Sequence, residues 1–289
     1  MNRADFDFVR SLVKQRSAIV LDDGKEYLAD ARLAPVAHQQ GFASVDELVR
    51  QLRTRLSNDL SRRVVEAMAT NETSFFRDGN PFEALRKHIL PALIERRSAE
   101  RTLRIWCAAC STGQEPYSVA MLLREHFPQL QGWRISLLAS DLGIGVLDHA
   151  RTGRYSQLEV NRGLPPTMLE KYFQRCATVG RAGTAEYQID DSLRTTVDFR
   201  PINLIEPWPA MAPFDIVMLR NVLIYFDAET RKTVLRRILS LMRPDAYLLL
   251  GGSENSMHLA DRMEPVQLGP FTCCRLRIPR PETRDPRSK

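Results

Sequence analysis

Apolar side chains recur at helical spacing along residues 1–63, the first part of the chain. Phe6 and Val9, for example, fall on one face of a first helix. Further along, Ser44 followed by Glu47 forms a capping box, a pattern typical of a helix N-terminus. These patterns predict an all-helical N-terminal domain, which we place at residues 1–70.

The helical pattern breaks at residues 71–78, where a polar run is interrupted by two adjacent phenylalanines. Neither helical nor strand spacing fits this segment, so a loop is predicted. Pro81 then opens an apolar-periodic helix that ends near Arg97. Residues 71–98 are therefore predicted to be a linker loop and helix. The many hydrogen-bonding side chains of the loop indicate a lid or a ligand contact.

Strand and helix patterns alternate through the larger part of the chain, residues 99–279. A short apolar run at 103–108 passes through small residues into a helix at 115–126, and a second apolar run follows at 133–140. Another strand pattern occurs at 214–219. This alternation predicts an α/β domain built on a parallel sheet.

Two segments depart from the alternation. Between residues 161 and 198 only a weak strand pattern remains, around Tyr187 and Ile189, which predicts a small antiparallel β insertion at about 177–197. The last residues, 280–289, are polar and rich in proline, so a disordered tail is predicted there.

Polar residues gather where the predicted strands end, at residues 109–115, Asp141, residues 203–204 and residues 220–221. In open α/β sheets this edge forms the crevice that binds ligands. Asp141 lies one strand-helix-strand unit beyond the first loop, where an acidic side chain can accept hydrogen bonds from ribose hydroxyls. The alternative for Asp141 is a cap on the following helix.

The loop at 109–115 also narrows the class of ligand. Gly113 is its only glycine, so it lacks the glycine-rich cradle of dinucleotide-binding loops, and no P-loop occurs in the chain. The class of ligand that remains is a nucleoside without phosphates. S-adenosylmethionine is the commonest such cofactor on this architecture.

The composition of the chain limits its expected partners and location. The net charge of +6 is a mild basic bias rather than the signature of a dedicated nucleic-acid binder. The five cysteines are an odd number in a chain without a secretory signal, which predicts reduced thiols and a cytoplasmic location. No apolar run approaches the ~20 residues of a membrane helix, so no membrane insertion is expected.

Other catalytic classes find little support in the sequence. Cys107 and Cys110 form a C-x-x-C pair, but no second pair or histidine cluster accompanies them, so packing is favoured over zinc and no metal is predicted. The histidines show no H-E-x-x-H spacing, and no G-x-S-x-G elbow is present.

Six blocks of sequence, in order, resemble the chemoreceptor protein-glutamate O-methyltransferases, the CheR family. They are NETSFFRD at 71–78, WCAACSTGQEPYS at 106–118, ASD at 139–141, INL at 202–204, RNVLIYF at 220–226 and LLLGGSEN at 248–255. The resemblance covers nearly the whole chain. It implies a Rossmann-like class I methyltransferase sheet and an S-adenosylmethionine-dependent enzyme. Such an enzyme esterifies glutamates on the cytoplasmic methylation helices of chemoreceptors and releases S-adenosylhomocysteine.

The resemblance also implies roles for individual residues. The implied cofactor-binding residues are Asn71, Thr73, Arg77, Ala109, Glu115, Asp141, Asn203, Leu204, Arg220 and Asn221. Glu115 and Asp141 should meet the amino-acid end and the ribose, in an order that the sequence leaves open. Arg77 and Tyr225 are the implied catalytic residues, with Tyr225 facing the acceptor. Alternatively, Arg77 and Arg220 form surface ion pairs, and Tyr225 is a core residue.

A set of arginines on the helical domain suits an acidic partner. The candidate docking residues are Arg50, Arg53, Arg55, Arg62 and Arg63. A solvated helix face is the alternative.

The chain is expected to act as a monomer and not on nucleic acid. Two other functions stay open: a methyltransferase for another substrate, such as RNA, and a non-catalytic signalling module that binds S-adenosylmethionine or S-adenosylhomocysteine.

Overall fold

The computed structural model describes residues 1–55, 57–179, 185–254 and 262–277. Its N-terminal part is helical, as predicted, and its four helices are α1 (Arg3–Ser17), α2 (Glu26–Gln39), α3 (Val45–Thr54) and α4 (Asn58–Met68). The Ser44 hydroxyl caps α3 by accepting a hydrogen bond from the backbone N–H of Glu47 at 3.2 Å. The Glu47 carboxylate reaches one residue further back than a capping box requires, to the N–H of Ala43. Apolar faces of the helices meet in a core that includes Phe6 and Val9.

A helix interrupted by one π-helical turn leads into the large domain. Its parts are α5 (Asn80–Ala84), the π turn (Leu85–Ile89) and α6 (Leu90–Arg96). Pro91 lies just beyond the π turn and has no N–H to donate to the preceding turn. The N–H of Leu90 instead reaches back five residues to the carbonyl of Leu85.

A seven-stranded sheet organises the large domain. Its strands are β1 (Thr102–Ala108), β2 (Arg134–Asp141), β6 (Val197–Pro201), β7 (Phe214–Leu219), β8 (Met242–Leu250), β9 (Met263–Leu268) and β10 (Phe271–Leu276). The strand order is β6-β2-β1-β7-β8-β10-β9, parallel from β6 to β8 and antiparallel at β10 and β9. The α/β fold with a parallel sheet is therefore confirmed.

The α-helices of the large domain beyond β1 lie between successive strands along the chain. They are α7 (Gln114–His126), α8 (Ile144–Thr152), α9 (Gln157–Val160), α10 (Pro166–Tyr172), α11 (Asp191–Arg194) and α12 (Ala228–Ser240). Every residue of β7 is buried, as expected for a central strand covered on both faces. Within the described residues, no helix is both long and apolar enough to cross a membrane.

A second, antiparallel sheet is inserted between β2 and β6. Its strands are β3 (Arg154–Ser156), β5 (Ala185–Ile189) and β4 (Phe173–Val179), in that spatial order. A small antiparallel sheet was expected, but its first strand lies well before the predicted insertion at 177–197, and Val197 already belongs to the large sheet. Three residues are too short to show a strand period, which is why β3 escapes detection from sequence.

Several segments quoted in the sequence analysis fall partly or wholly outside the described residues, and residues 180–184 of the insertion predicted at about 177–197 are among them. The predicted tail at 280–289 does so entirely, and so does Asn255, the last residue of the LLLGGSEN block.

A buried ion network ties α6 to the amino-terminal side of the sheet. Arg97 donates from Nε to Asp215 Oδ1 at 2.8 Å and from Nη2 to Asp245 Oδ1 at 2.5 Å. The other carboxylate oxygen of Asp215 accepts from the backbone N–H of Arg104 at 2.8 Å. Asp215 is fully buried, so these partners replace the water that an exposed carboxylate would bind.

Candidate functional site

A pocket opens where β1, β2 and β7 end, between the sheet and the N-terminal helices. The structure brings together here every side chain that the sequence analysis proposed for cofactor binding or catalysis. They are Asn71, Thr73, Arg77, Ala109, Glu115, Asp141, Asn203, Leu204, Arg220, Asn221 and Tyr225. Their roles stay predictions.

The loop after β1 forms the floor of this pocket and has an unusual backbone. Ala109, Ser111 and Gly113 all have positive φ, at 59°, 51° and 94°. A side chain at Gly113 would lie 2.9 Å from Ala150 Cβ and 3.1 Å from the Tyr155 hydroxyl, so only glycine fits there. Tyr155, on β3, donates to the carbonyl of Thr112 at 2.7 Å. The small sheet therefore supports the loop from behind.

Asp141 joins this loop to the end of β2. Its Oδ2 accepts from the N–H of Ser111 at 2.8 Å, and its Oδ1 accepts from the N–H of Gly143 at 2.9 Å. Burial raises the pKa of this carboxyl group, against the lowering effect of those backbone N–H bonds. Since each carboxylate oxygen has a second lone pair, Asp141 can still accept hydrogen bonds from two hydroxyl groups.

Arg220 forms the opposite wall through a buried network. It donates from Nη1 to Glu115 Oε2 at 2.8 Å and from Nη2 to Asp78 Oδ2 at 2.6 Å and the carbonyl of Arg77 at 3.0 Å. Burial raises the pKa of Glu115, and the Arg220 guanidinium acts against that rise. Arg220 thus ties the end of β7 to α7 and to the loop that contains Arg77, and it is no surface ion pair.

The loop at 71–77 is fixed at several points over the pocket. Asn71 accepts at its carbonyl from the Ser111 hydroxyl at 2.8 Å, and the N–H of Phe76 donates to the Ser118 hydroxyl at 2.9 Å. Arg77 donates from Nη1 to the carbonyl of Glu72 at 2.7 Å. Within the described part of the chain Arg77 has no ion-pair partner, so a half-buried cation on the pocket wall keeps donors for a ligand.

The helical domain reaches the pocket at two points. Asn203 donates from Nδ2 to the carbonyl of Arg16 at 2.8 Å, and the N–H of Val20 donates to the carbonyl of Tyr225 at 2.9 Å. The Tyr225 ring is half-buried on the pocket wall rather than enclosed in the core. Ser17, which also lines the pocket, was missed from sequence because no local pattern links α1 to the sheet edge.

Ser111 lies in the loop at 109–115 that the sequence placed at the crevice, but the sequence analysis gave it no role of its own. Its N–H binds Asp141 and its hydroxyl binds Asn71, so it couples three of the pocket's segments. Ser111 lies within the WCAACSTGQEPYS block, but nothing in the sequence around it indicates that it bonds to Asn71 and Asp141.

The candidate docking arginines differ in whether they form ion pairs within the chain. Arg53 pairs with Asp5 at 3.2 Å and packs over the Phe8 ring at 5.0 Å. Arg62 and Arg63 both pair with Asp59, and Arg62 also pairs with Glu66. Arg50 and Arg55, by contrast, are exposed and have no ion-pair partner among the described residues. These two carry the charge that is free to meet a partner.

The described residues contain no group of three or more His, Cys, Asp or Glu side chains that could hold a metal ion. Cys107 and Cys110 are both buried, and burial raises the pKa of each thiol well above its usual value. Packing, the favoured interpretation of this pair, agrees with that burial.

Two family descriptions match the chain, and together they span most of it. Residues 4–69 match the all-alpha domain of CheR methyltransferase. Residues 71–271 match the SAM binding domain of CheR methyltransferase. The two matches meet at residue 70, where the helical domain gives way to the loop over the pocket.

Curated relatives resemble the chain over nearly its full length. It is 40% identical over 271 residues to chemotaxis protein methyltransferase 1 of Pseudomonas aeruginosa, which covers 92% of this chain and 96% of that protein. It is 38% identical over 270 residues to chemotaxis protein methyltransferase Cher2 of Pseudomonas putida, with 92% and 95% covered. It is 35% identical over 268 residues to the chemotaxis protein methyltransferase of Escherichia coli, with 91% and 88% covered.

Proposed function

Because the chain belongs to the CheR methyltransferase family, we propose that it transfers a methyl group to glutamate side chains of bacterial chemoreceptors. S-adenosylmethionine is the cofactor. The products are then a glutamate methyl ester and S-adenosylhomocysteine. The observation that carries this proposal is the pocket, which combines the buried carboxylate of Glu115 and the partly buried carboxylate of Asp141 with Arg77, an arginine that has no ion-pair partner among the described residues.

The side chains of the pocket suit this cofactor. Asp141, at the end of β2, would accept hydrogen bonds from the ribose hydroxyls. Glu115 would hold the cationic amino-acid end, and apolar Ile202 and Leu204 would flank the adenine. Two acidic residues also favour a positively charged ligand, since an opposite charge nearby stabilises the ionised carboxylates.

The chemistry requires little proton transfer. When bound, the cofactor supplies an electrophilic methyl group on a sulfonium. A glutamate side chain with an ordinary pKa of about 4.3 arrives already ionised, so no general base is needed. With the cofactor held by these residues, one carboxylate oxygen of the acceptor would bond to the methyl carbon while the carbon–sulfur bond would break and leave its electron pair on sulfur.

The protein's task is therefore to position the two reactants and exclude water. Arg77 would orient the acceptor carboxylate through its free guanidinium donors, and the Tyr225 hydroxyl would limit its movement on the opposite side. The loop at 71–77, anchored to Ser111 and Ser118, would exclude water from the nucleophile. An interaction with Arg77 that is too strong in the ground state would slow transfer, so orientation matters more than tight binding.

Asp141→Ala should weaken binding of S-adenosylmethionine at least ~10-fold, since hydrogen bonds to a charged group contribute about 1.5–3 kcal/mol. Titration calorimetry measures the change. Asp148→Ala, which removes the same charge from an exposed position on α8, should leave the affinity unchanged. A normal affinity in folded Asp141→Ala would contradict the ribose assignment.

Replacing Arg50 and Arg55 together by glutamate should lower kcat/KM for receptor about 10-fold at low salt, because the free charge that attracts an acidic helix is reversed. Affinity for S-adenosylmethionine should not change, and the loss should shrink as salt screens the charges. A control pair on α12, Lys232→Glu with Arg236→Glu, changes the net charge equally and should cost less than about twofold in rate. Equal rates for the two double variants would show that Arg50 and Arg55 belong to a solvated face and do not dock the receptor.

The function itself is tested by incubating the protein with methyl-labelled cofactor and cytoplasmic fragments of a chemoreceptor. Label that enters the receptor and is released by mild base supports glutamate esterification. Cofactor binding without transfer to any acceptor would indicate the non-catalytic signalling module. Transfer to RNA instead of receptor would indicate a methyltransferase for another substrate.

We also propose the organisation in which this activity would work. The helical domain at 1–70 would dock the receptor, the segment at 71–98 would cover the cofactor, and residues 99–279 would form the catalytic domain. The protein would act in the cytoplasm as a monomer. Sedimentation at working concentrations tests the last point.

A further inference from the structure

The loop after β8 folds back onto the loop after β7, and one carboxylate joins them. Glu254 Oε2 accepts from the backbone N–H of Asn221 at 2.8 Å and of Gly251 at 2.7 Å. Its Oε1 accepts from the N–H of Leu223 at 2.7 Å and, more weakly, of Ile224 at 3.4 Å. Four backbone donors from two chain segments therefore converge on a single side chain.

The close approach of the two loops is built into the backbone. A Cβ at Gly251 would lie 2.8 Å from Glu254 Oε2 and 2.9 Å from the backbone nitrogen of Asn221, so a side chain there would push the loops apart. Asn221 itself has a φ of 59°, a left-handed conformation that is uncommon outside glycine. Charge-assisted hydrogen bonds to Glu254 are well placed to hold that conformation.

The segment held in this way forms one wall of the pocket. Asn221, Val222 and Tyr225 all line it, and Tyr225 ends the short 3-10 turn whose first N–H donates to Glu254. The Arg220 network fixes one end of the segment, and the bond from Val20 fixes the other. Between those ends, the N–H groups of Asn221, Leu223 and Ile224 donate to the Glu254 carboxylate.

We propose that Glu254 is a positioning residue for methyl transfer. Its carboxylate accepts hydrogen bonds from the N–H groups of the 221–224 turn and so sets the position of Tyr225 beside the acceptor. This inference rests on the proposed function, in which Tyr225 faces the glutamate. It also gives the LLLGGSEN block a physical role, since Gly251 and Glu254 act as a pair.

Glutamine is the informative replacement because it keeps the size of the side chain. It offers one acceptor oxygen and places an NH2 group against backbone donors, so about half of the contacts become repulsive. Glu254→Gln should lower kcat at least ~10-fold through misplacement of the turn. The dissociation constant of S-adenosylmethionine should rise much less than kcat falls, by about threefold at most, because Glu254 bonds to Asn221 but Asp141 and Glu115 are untouched. Glu264→Gln, on β9, is the matched control and should keep full activity.

A double-mutant cycle with Tyr225→Phe separates positioning from general destabilisation. If Glu254 acts through Tyr225, Glu254→Gln should cost less than about threefold in kcat when Tyr225 is already phenylalanine. The same loss in both backgrounds would overturn the inference. So would a loss of kcat that follows a lowered Tm or a weakened affinity for the cofactor.

Hydrogen exchange gives a readout that needs no acceptor. The N–H groups of Asn221 and Leu223 should exchange faster in Glu254→Gln than in wild type, with exchange in β7 unchanged. Unchanged exchange at both amides would contradict the inference. Failure of wild type to methylate any receptor would contradict the proposed function, whereas an active wild type with an equally active Glu254→Gln contradicts only this inference.

Discussion

Replacing Arg220 by alanine should weaken binding of S-adenosylmethionine about 100-fold, because two elements of the pocket lose their shared anchor. Glu115 would lose its buried cation, and its pKa, already raised by burial, would rise further. The loss of Arg220 therefore makes the ionised form of Glu115, which attracts the cationic end of the cofactor, less favourable. The carbonyl of Arg77 and the carboxylate of Asp78 would also be released, so the loop over the pocket would loosen.

Calorimetry on folded protein measures this effect, and two variants sharpen it. Arg220→Lys should fail nearly as badly, because one ammonium group cannot replace donors that reach Glu115 and Asp78 at once. Arg236→Ala, an exposed arginine on α12, should bind the cofactor normally. An affinity for Arg220→Ala close to that of wild type would show that the network does not shape the pocket.

Asp215→Ala should lower the free energy of unfolding by about 3–5 kcal/mol, the usual cost of removing one partner of a buried ion pair. Arg97 would keep only Asp245, and the backbone N–H of Arg104 would lose its acceptor. Because the network lies at the side of the sheet away from the pocket, cofactor affinity of the folded variant should stay normal. Denaturant titration measures the loss of stability.

Asp198→Ala is the matched control for that measurement. Asp198 pairs with Arg200 on the edge strand β6, and both side chains are about half exposed. Removing an exposed pair should change the free energy of unfolding by less than about 1 kcal/mol. Equal losses for the two variants would mean that the buried network contributes no more than a surface pair.

Local patterns were sufficient to predict the elements that surround the pocket. The apolar run, the small-residue loop and the helix between residues 103 and 117 occur where the sequence placed them, as β1 and α7. The strand-end residues meet in one pocket because parallel strands bring their carboxyl ends to one edge. Residues that follow different parallel strands can therefore be predicted from the sequence to be neighbours in the fold.

Contacts between distant segments were not predictable in this way. Glu254 binds the turn at Asn221 across 33 positions, and Arg97 binds Asp215 across 118. Nothing in the local spacing of either residue records its partner, because the tertiary fold alone brings them together. The sequence therefore marked the block that contains Glu254 without revealing what it does.

The ion pairs of the candidate docking arginines were not predictable from the sequence either. From sequence, five arginines of the helical domain looked equivalent, yet Arg53 is held by Asp5 and the Phe8 ring. Both of these partners of Arg53 lie on α1, whereas Arg50 and Arg55 have no ion-pair partner among the described residues. Any proposal about docking depends on this distinction, which a pattern of charges along one helix cannot supply.

The most direct test of the proposed function is to locate the transferred methyl group. A chemoreceptor cytoplasmic fragment is incubated with S-adenosylmethionine and either wild-type protein or Arg77→Ala, and its peptides are sequenced by mass spectrometry. We predict a base-labile methyl ester on glutamate side chains with wild type, and strongly reduced ester with Arg77→Ala. A methyl group on any other side chain, or none at all while the cofactor binds normally, would contradict the account.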